Sequence, residues 1–176
     1  MNIRVATLED AEAIAEIYAP SVRDTAISFE ETPPRGPEMA RRIAATLPTH
    51  PWLVALDQDQ VLGYAYATQH RSRAAYKWSA DVSVYVASSA QWRGLAYQLY
   101  TRLFACLVEQ GYVSVFAGIV LPNQASVGFH ERMQFEPVGV YSNVGFKQGA
   151  WRDVGWWKRA LQTPPPSPEP PRPFRP

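Results

Sequence analysis

The sequence predicts an α/β (α+β) fold in which helices cover both faces of a mixed central sheet holding one parallel strand pair. Three observations predict it. Residues 81–86, Asp-Val-Ser-Val-Tyr-Val, are β-branched or aromatic at nearly every step, which is the composition of a buried strand. Leu95, Leu99, Leu103 and Leu107 then repeat every four residues, giving one buried face of a long helix that runs to Gln110, with Gly111 as its C′ residue. A further apolar run, Val113–Val120, returns through that helix, and a strand reached by a helical crossover lies parallel to the one before it. A ligand is expected at the carboxyl ends of this pair, where the chain's connections diverge.

The remaining elements follow in order. Ile3–Ala6 reads as a short strand, and Thr7-x-x-Asp10 has the form of an N-cap with an acidic third residue. The helix that it opens runs through Ala11, Ile14, Ile17 and Tyr18, with Pro20 near its end. Residues 21–36 lack periodicity and form a loop that borders a pocket; Pro37 starts a second helix reaching about Leu47, whose Arg41-Arg42 pair is a solvated face. Residues 51–56, 57–60 and 61–67 read as strand, turn, strand, and His70–Trp78 link to the central strand. Gln124–Met133 is a second crossover helix, and Val138–Phe146 with Asp153–Arg159 closes the sheet as an antiparallel pair around Lys147-Gln-Gly-Ala. Residues 163–176 hold eight of the chain's 16 prolines and are expected as an extended polyproline segment outside the 1–162 domain. Two fates suit it: a solvated tail, or a strap whose Phe174 anchors on a neighbouring subunit or whose prolines dock an SH3-like groove.

Composition sets outer limits. The 176 residues are 47% hydrophobic and 12% aromatic, enough for one domain with a full core. A net charge of +1 argues against a broad field for nucleic acid or an anionic membrane. The single cysteine, Cys106, allows no internal disulfide and sits on the apolar side of its helix, which suits a reducing, cytoplasmic setting. No apolar run approaches membrane-spanning length, and the first residues lack a signal-peptide pattern. His50, His70 and His130 have no ligand-like spacing, so no metal is expected.

Between the central strand and the long helix lies Gln91-x-x-Gly94-x-Ala96. A strand ending in a tight loop that opens a helix leaves backbone N–H groups unpaired, and with the helix dipole they favour an anion. Gly94 and Ala96 keep side-chain bulk away from a diphosphate. The loop is not a Walker motif, since no Gly-Lys-Ser/Thr follows.

This loop, together with Asn123-x-x-Ser126 after the next strand, resembles the coenzyme A motifs of the GNAT superfamily of N-acetyltransferases. Ala75–Val86, Leu121–Ser126, His130-Glu131 and Gly149–Trp157 narrow the resemblance to the phosphinothricin N-acetyltransferases, along essentially the whole chain. The resemblance implies a sheet whose two parallel strands splay around pantetheine, acetyl-CoA as co-substrate and a homodimer. It places the backbone of Val84, Tyr85 and Val86 against pantetheine, and Gln91, Trp92, Arg93, Gly94, Leu95, Ala96 and Tyr97 around the pyrophosphate. Asn123 and Ser126 then hold the pantetheine arm or cap their helix. Asp81 takes the place of a catalytic glutamate, one methylene shorter, and His130 that of a second proton-handling residue. Arg71, Arg73 and Tyr76 are expected to grip the acceptor's oxyanions, with Phe29 as an aromatic lid.

Acetyl transfer to an amine needs a neutral nitrogen, a fixed thioester and stabilisation of an oxyanion. The expected acceptor is a small-molecule amine, phosphinothricin or methionine sulfoximine or sulfone. The alternatives are another small-molecule or protein N-acetyltransferase, or an acetyl-CoA-binding sensor without turnover.

Overall fold

The computed structural model describes residues 2–91 and 93–175. Trp92, expected beside the pyrophosphate, lies outside the described residues. The first apolar run forms β1 (Asn2–Val5). A single 3-10 turn at Leu8–Asp10 leads into α1 (Ala11–Arg23), so the helix proper starts later than the capping motif suggests. Asp10 still reaches back: its carboxylate accepts from the Thr7 N–H at 2.7 Å and from both terminal nitrogens of Arg4 at 2.7 and 2.8 Å. Burial opposes the charge of Asp10, and the Arg4 and Thr7 bonds outweigh it, holding the carboxyl below its ordinary value. Pro20 lies within the last turn of α1, where its carbonyl accepts the Asp24 N–H that closes the helix.

Next come α2 (Gly36–Thr46), β2 (Trp52–Asp57), β3 (Gln60–Gln69) and β4 (Ser79–Val86). They are followed by α3 (Leu95–Gln110), β5 (Ser114–Leu121), α4 (Gln124–Arg132), β6 (Glu136–Lys147) and β7 (Ala150–Ala160). The seven strands form one sheet in the order β1-β2-β3-β4-β5-β7-β6. All pairings are antiparallel except β4–β5. No helix among the described residues is long and apolar enough to cross a membrane.

Two cores flank the sheet. On one face α1 and α2 pack Ile14, Val22, Met39 and Ile43 over a row of aromatic residues. Trp52 stacks on Tyr66 at 4.3 Å, and Tyr85 meets Tyr18 edge-on at 5.0 Å. On the other face the leucine row of α3 meets Val82, Val115, Ala117 and Ile119, with Phe129 of α4 at the margin. This alternation along β4 puts Asp81, Ser83 and Tyr85 on the α1/α2 face and Val82, Val84 and Val86 on the α3 face.

Arg42 departs from the solvated role expected of it. Its guanidinium forks onto Glu30 at 2.8 and 2.9 Å, and so ties the loop before α2 to α2 itself. Lys147 of β6 donates to the carbonyls of Val22, Ser28 and Glu30, fixing the same loop from the opposite side.

The proline-rich segment is not free in solvent. It lies along its own chain: Arg172 N–H donates to Gln110 O at 2.8 Å, and the Gln110 amide returns a bond to Arg172 O at 2.8 Å. Trp78 Nε1 donates to Glu169 O, and Phe174 is buried. A proline run lacks the N–H groups to form a ladder, so isolated anchors hold it instead.

Candidate active site

The site is built around an interruption. β4 and β5 pair only through Ser79, Ala80 and Asp81 with Ser114, Val115 and Phe116. Both strands continue, β4 to Val86 and β5 to Leu121, without pairing to each other. Each stays bonded to its outer neighbour along this stretch, β4 to β3 and β5 to β7, so the sheet opens between them. Backbone N–H and C=O groups facing such a gap require partners. Ala87 N–H donates to Leu62 O at 2.9 Å toward β3. By the two-residue alternation of an antiparallel ladder, the Tyr85 main chain also faces β3, and the main chains of Val84 and Val86 face the gap. Tyr85 thus meets the gap with its neighbours' amides rather than its own.

The gap is a narrow slot of about 80 Å³ whose lining includes Val84, Ile119, Tyr100, Asn123, Ser126 and His130. After β4 and the short turn at Ser88–Ala90 comes the N-terminus of α3. Gly94 caps it in the left-handed region (φ 74°), with no side-chain cap bond and no acidic residue in the first turn. Among the described residues nothing lies within 4 Å of where a Cβ of Gly94 would sit, above the helix start at Leu95, Ala96 and Tyr97. An uncapped helix start of this kind favours an anion. Tyr97 is exposed beside it, while Leu95 points inward and is buried. Gln91 and Arg93 are exposed at the same loop.

Asn123 caps α4 by accepting the Ser126 N–H at 3.1 Å, so the Asn-x-x-Ser motif is accounted for as a helix start on the wall of the slot. His130 sits one turn further and is buried. Its Nδ1 lies 2.8 Å from Ser126 O and therefore carries the hydrogen; its Nε2 accepts from the Tyr100 hydroxyl at 3.2 Å. Burial pushes the imidazole below its ordinary value, against the Ser126 carbonyl, which raises it. With both nitrogens engaged, His130 has no free lone pair, and it makes no contact with Asp81. The structure does not bring together the two proton-handling residues that the sequence suggested.

Asp81 occupies the last rung before the gap, opposite Phe116 on β5 and Thr68 on β3. Its Oδ1 is 2.6 Å from His70 Nδ1, and its Oδ2 is 4.0 Å from Arg71 Nη1. Burial pushes the carboxyl up, and the His70 bond and the Arg71 charge only partly offset that, so it titrates above its ordinary value. The His70 ring stacks on Phe116 at 4.2 Å, with the edges of Tyr76 and Trp156 at 5.9 and 6.0 Å. Arg71 lies 5.2 Å over the Trp156 ring, and that indole packs where a Cβ on Gly118 would stand. Arg71 and Tyr76 thus join Asp81. Arg73 is exposed on the turn and makes no ion pair among the described residues. Phe29 is on the fixed loop, its ring against Gly145 of β6.

Residue-by-residue reading missed His70, Trp156 and Tyr100. A register argument was available for the first. Pairing the apolar strand at 61–67 with the central strand puts Gln69 opposite Ala80, and so carries residue 70 back beside Asp81.

An opened parallel pair, a half-buried carboxylate at its fork and an uncapped helix start after the first of its strands suit an acyl-coenzyme-dependent transferase. Residues 3–156 match the model of the acetyltransferase (GNAT) domain family. The chain is 36% identical over 176 residues to a phosphinothricin N-acetyltransferase of Streptomyces viridochromogenes, covering 100% of this chain and 94% of that protein. It is 34% identical to an L-methionine sulfoximine/L-methionine sulfone acetyltransferase of Pseudomonas aeruginosa, over 87% of this chain and 90% of that one. A crystal structure of a GNAT superfamily phosphinothricin acetyltransferase from Sinorhizobium meliloti in complex with AcCoA superposes with a TM-score of 0.88 at 32% identity, covering 96% and 95% of the two chains. The chain therefore belongs to the GNAT acetyltransferase family, within its phosphinothricin N-acetyltransferase branch.

The geometry at His130 makes a stability prediction. Its folded-state pKa is lowered, so protonation favours the unfolded chain. Stability is complete above the unfolded value of 6.5 and declines as pH falls below it. His130→Gln should flatten this decline by up to about 1.4 kcal/mol per pH unit between pH 6.5 and 5 in urea unfolding. An equal decline in both proteins would show that His130 already carries charge in the folded state.

Proposed function

We propose that the chain transfers the acetyl group of acetyl-CoA to the amino group of a small amino acid analogue, with phosphinothricin first and methionine sulfoximine or sulfone next. The observation that carries this reading is the opening of β4 from β5 at Asp81, with unpaired main-chain groups along the gap and a carboxylate at its fork. The residues present suit acetyl-CoA. Uncapped amides at the start of α3 and the bare Gly94 suit a diphosphate, with Gln91, Arg93, Leu95, Ala96 and Tyr97 around it. The main chains of Val84 and Val86 suit the amides of an extended pantetheine arm, and Asn123 and Ser126 line the same slot. When bound, the thioester supplies an activated acetyl carbon.

The chain's own residues supply the rest. Asp81, through its hydrogen-bond network, draws the proton from the acceptor's ammonium, which must be neutral to attack. Arg71, Arg73 and Tyr76 orient the acceptor's anionic groups, Arg by its forked geometry. Phe29, held by the Lys147 and Arg42 ties, closes the pocket from the loop before α2. A gap-facing amide of β4 polarises the carbonyl. His130 keeps the Tyr100 hydroxyl in place at the slot wall. The buried thiol of Cys106 suits the reducing cytoplasm proposed for the protein.

A second copy of the chain would cover β6. This edge strand exposes Val138, Val140, Tyr141, Val144 and Phe146 at 50–60% each, more apolar surface than a solvated edge usually carries.

The test of function is release of free thiol from acetyl-CoA with phosphinothricin, methionine sulfoximine, methionine sulfone, a polyamine and a peptide N-terminus. Phosphinothricin should give the highest kcat/KM, and Asp81→Asn should lower it by about 10²–10⁴-fold. Preference for the polyamine or peptide would replace the acceptor assignment. A rise in melting temperature with acetyl-CoA but no thiol release would make the protein a sensor. For the assembly, light scattering should give twice the chain mass, and Tyr141→Asp should halve it; a wild-type monomer refutes the dimer.

A further inference from the structure

Asp81 Oδ1 lies 2.6 Å from His70 Nδ1, which ties the carboxylate to the imidazole on that side. An ionised carboxylate accepts only, so Nδ1 carries the hydrogen and donates it. In that tautomer Nε2 holds the ring's free lone pair. Among the described residues Nε2 has no hydrogen-bond partner, and it is not among the side-chain polar atoms sealed from solvent. The ring itself is fixed by the Phe116 stack and by the edges of Tyr76 and Trp156. A packed imidazole, oriented by a half-buried carboxylate through one nitrogen and open at the other, has the arrangement of a general base.

We propose that His70 is the catalytic base, accepting the acceptor's ammonium proton at Nε2 while Asp81 orients the ring and stabilises the imidazolium. The inference rests on the acetyl-transfer reading and deepens it. It also resolves the short reach of Asp81: where glutamate would extend itself by a methylene, this chain inserts an imidazole between carboxylate and amine. The proton balance is complete. One ammonium proton passes to Nε2, the freed nitrogen lone pair forms the C–N bond to the acetyl carbon, and the C–S bond breaks with its pair left on sulfur. The adduct's surplus N–H proton goes to that sulfur, and the imidazolium returns its proton to solvent.

The groups that set the ring's charge are few. Asp81 faces it from β4, Arg71 and Tyr76 from the connecting turn, and Lys158 of β7 lies across the register from Phe116; Phe116 and Trp156 are uncharged.

The experiment compares wild type with His70→Phe, which can keep the Phe116 stack, and His70→Gln, which can keep a donor to Asp81 without a titrating base. Both variants should melt near the wild type, bind acetyl-CoA within twofold, and lose about 100-fold or more in kcat/KM for the amine at pH 7. The neutral-pH rise of kcat/KM should disappear from both, and Asp81→Asn combined with His70→Phe should cost no more than His70→Phe alone. Nitrogen NMR of the wild type should show the neutral His70 ring protonated at Nδ1. Retention of rate within threefold and of the pH profile in either variant overturns the proposal, as does an Nε2–H tautomer. Wild type without turnover on any amine overturns the acetyl-transfer reading itself, which separates the two failures.

Discussion

The structure depends on two adjacent strands that begin as partners and then separate. β4 and β5 share a ladder only as far as Asp81 and Phe116, while β3 and β7 hold their outer edges. A buried strand edge with unpaired amides is costly unless something polar fills it. Here the gap is not closed by the protein. Its walls carry apolar side chains from both strands, its free groups are main chain, and Asn123, which caps α4, lines it. Such an edge suits an extended, amide-bearing ligand, which is the kind of co-substrate the proposed function assigns to it.

The two faces of the sheet divide the labour. On the α3 side, the Tyr100 hydroxyl and the Ser126 carbonyl engage both nitrogens of His130. That chain braces the wall of the slot. On the α1/α2 side, beyond the aromatic row, Asp81, His70 and Arg71 form an open chain, held by stacking but unfinished at the imidazole. Burial raises the carboxyl of Asp81, and the His70 bond and the Arg71 charge only partly offset that. The fixed loop before α2 adds a border on the same face, tied down by Arg42 and Lys147 rather than left to hinge.

Much of this was legible in the residues. The β-branched run at 81–86, the leucine repeat of α3 and the small residues between them are local signals, and they located the parallel pair and the helix start between its strands. Asn123 was readable because capping is also local. His70 was not, because its meaning comes from register: it acquires a partner only when β3 folds back on β4. The surroundings of His130 were hidden for a similar reason. Its position in a motif said nothing of the Tyr100 hydroxyl and Ser126 carbonyl that occupy it. Proline content correctly removed regular structure from residues 163–175, yet it could not show that Gln110 and a pocket for Phe174 would hold the segment down.

The central claim, that the parted strands hold an extended coenzyme arm through main-chain bonds, is tested most directly by residue-resolved hydrogen exchange of β4 with and without acetyl-CoA. The amides of Val84 and Val86 should exchange fast in the free protein and become strongly protected on binding, while Tyr85, already turned toward β3, should change little. Saturating acetyl-CoA that leaves Val84 and Val86 unprotected would contradict the account.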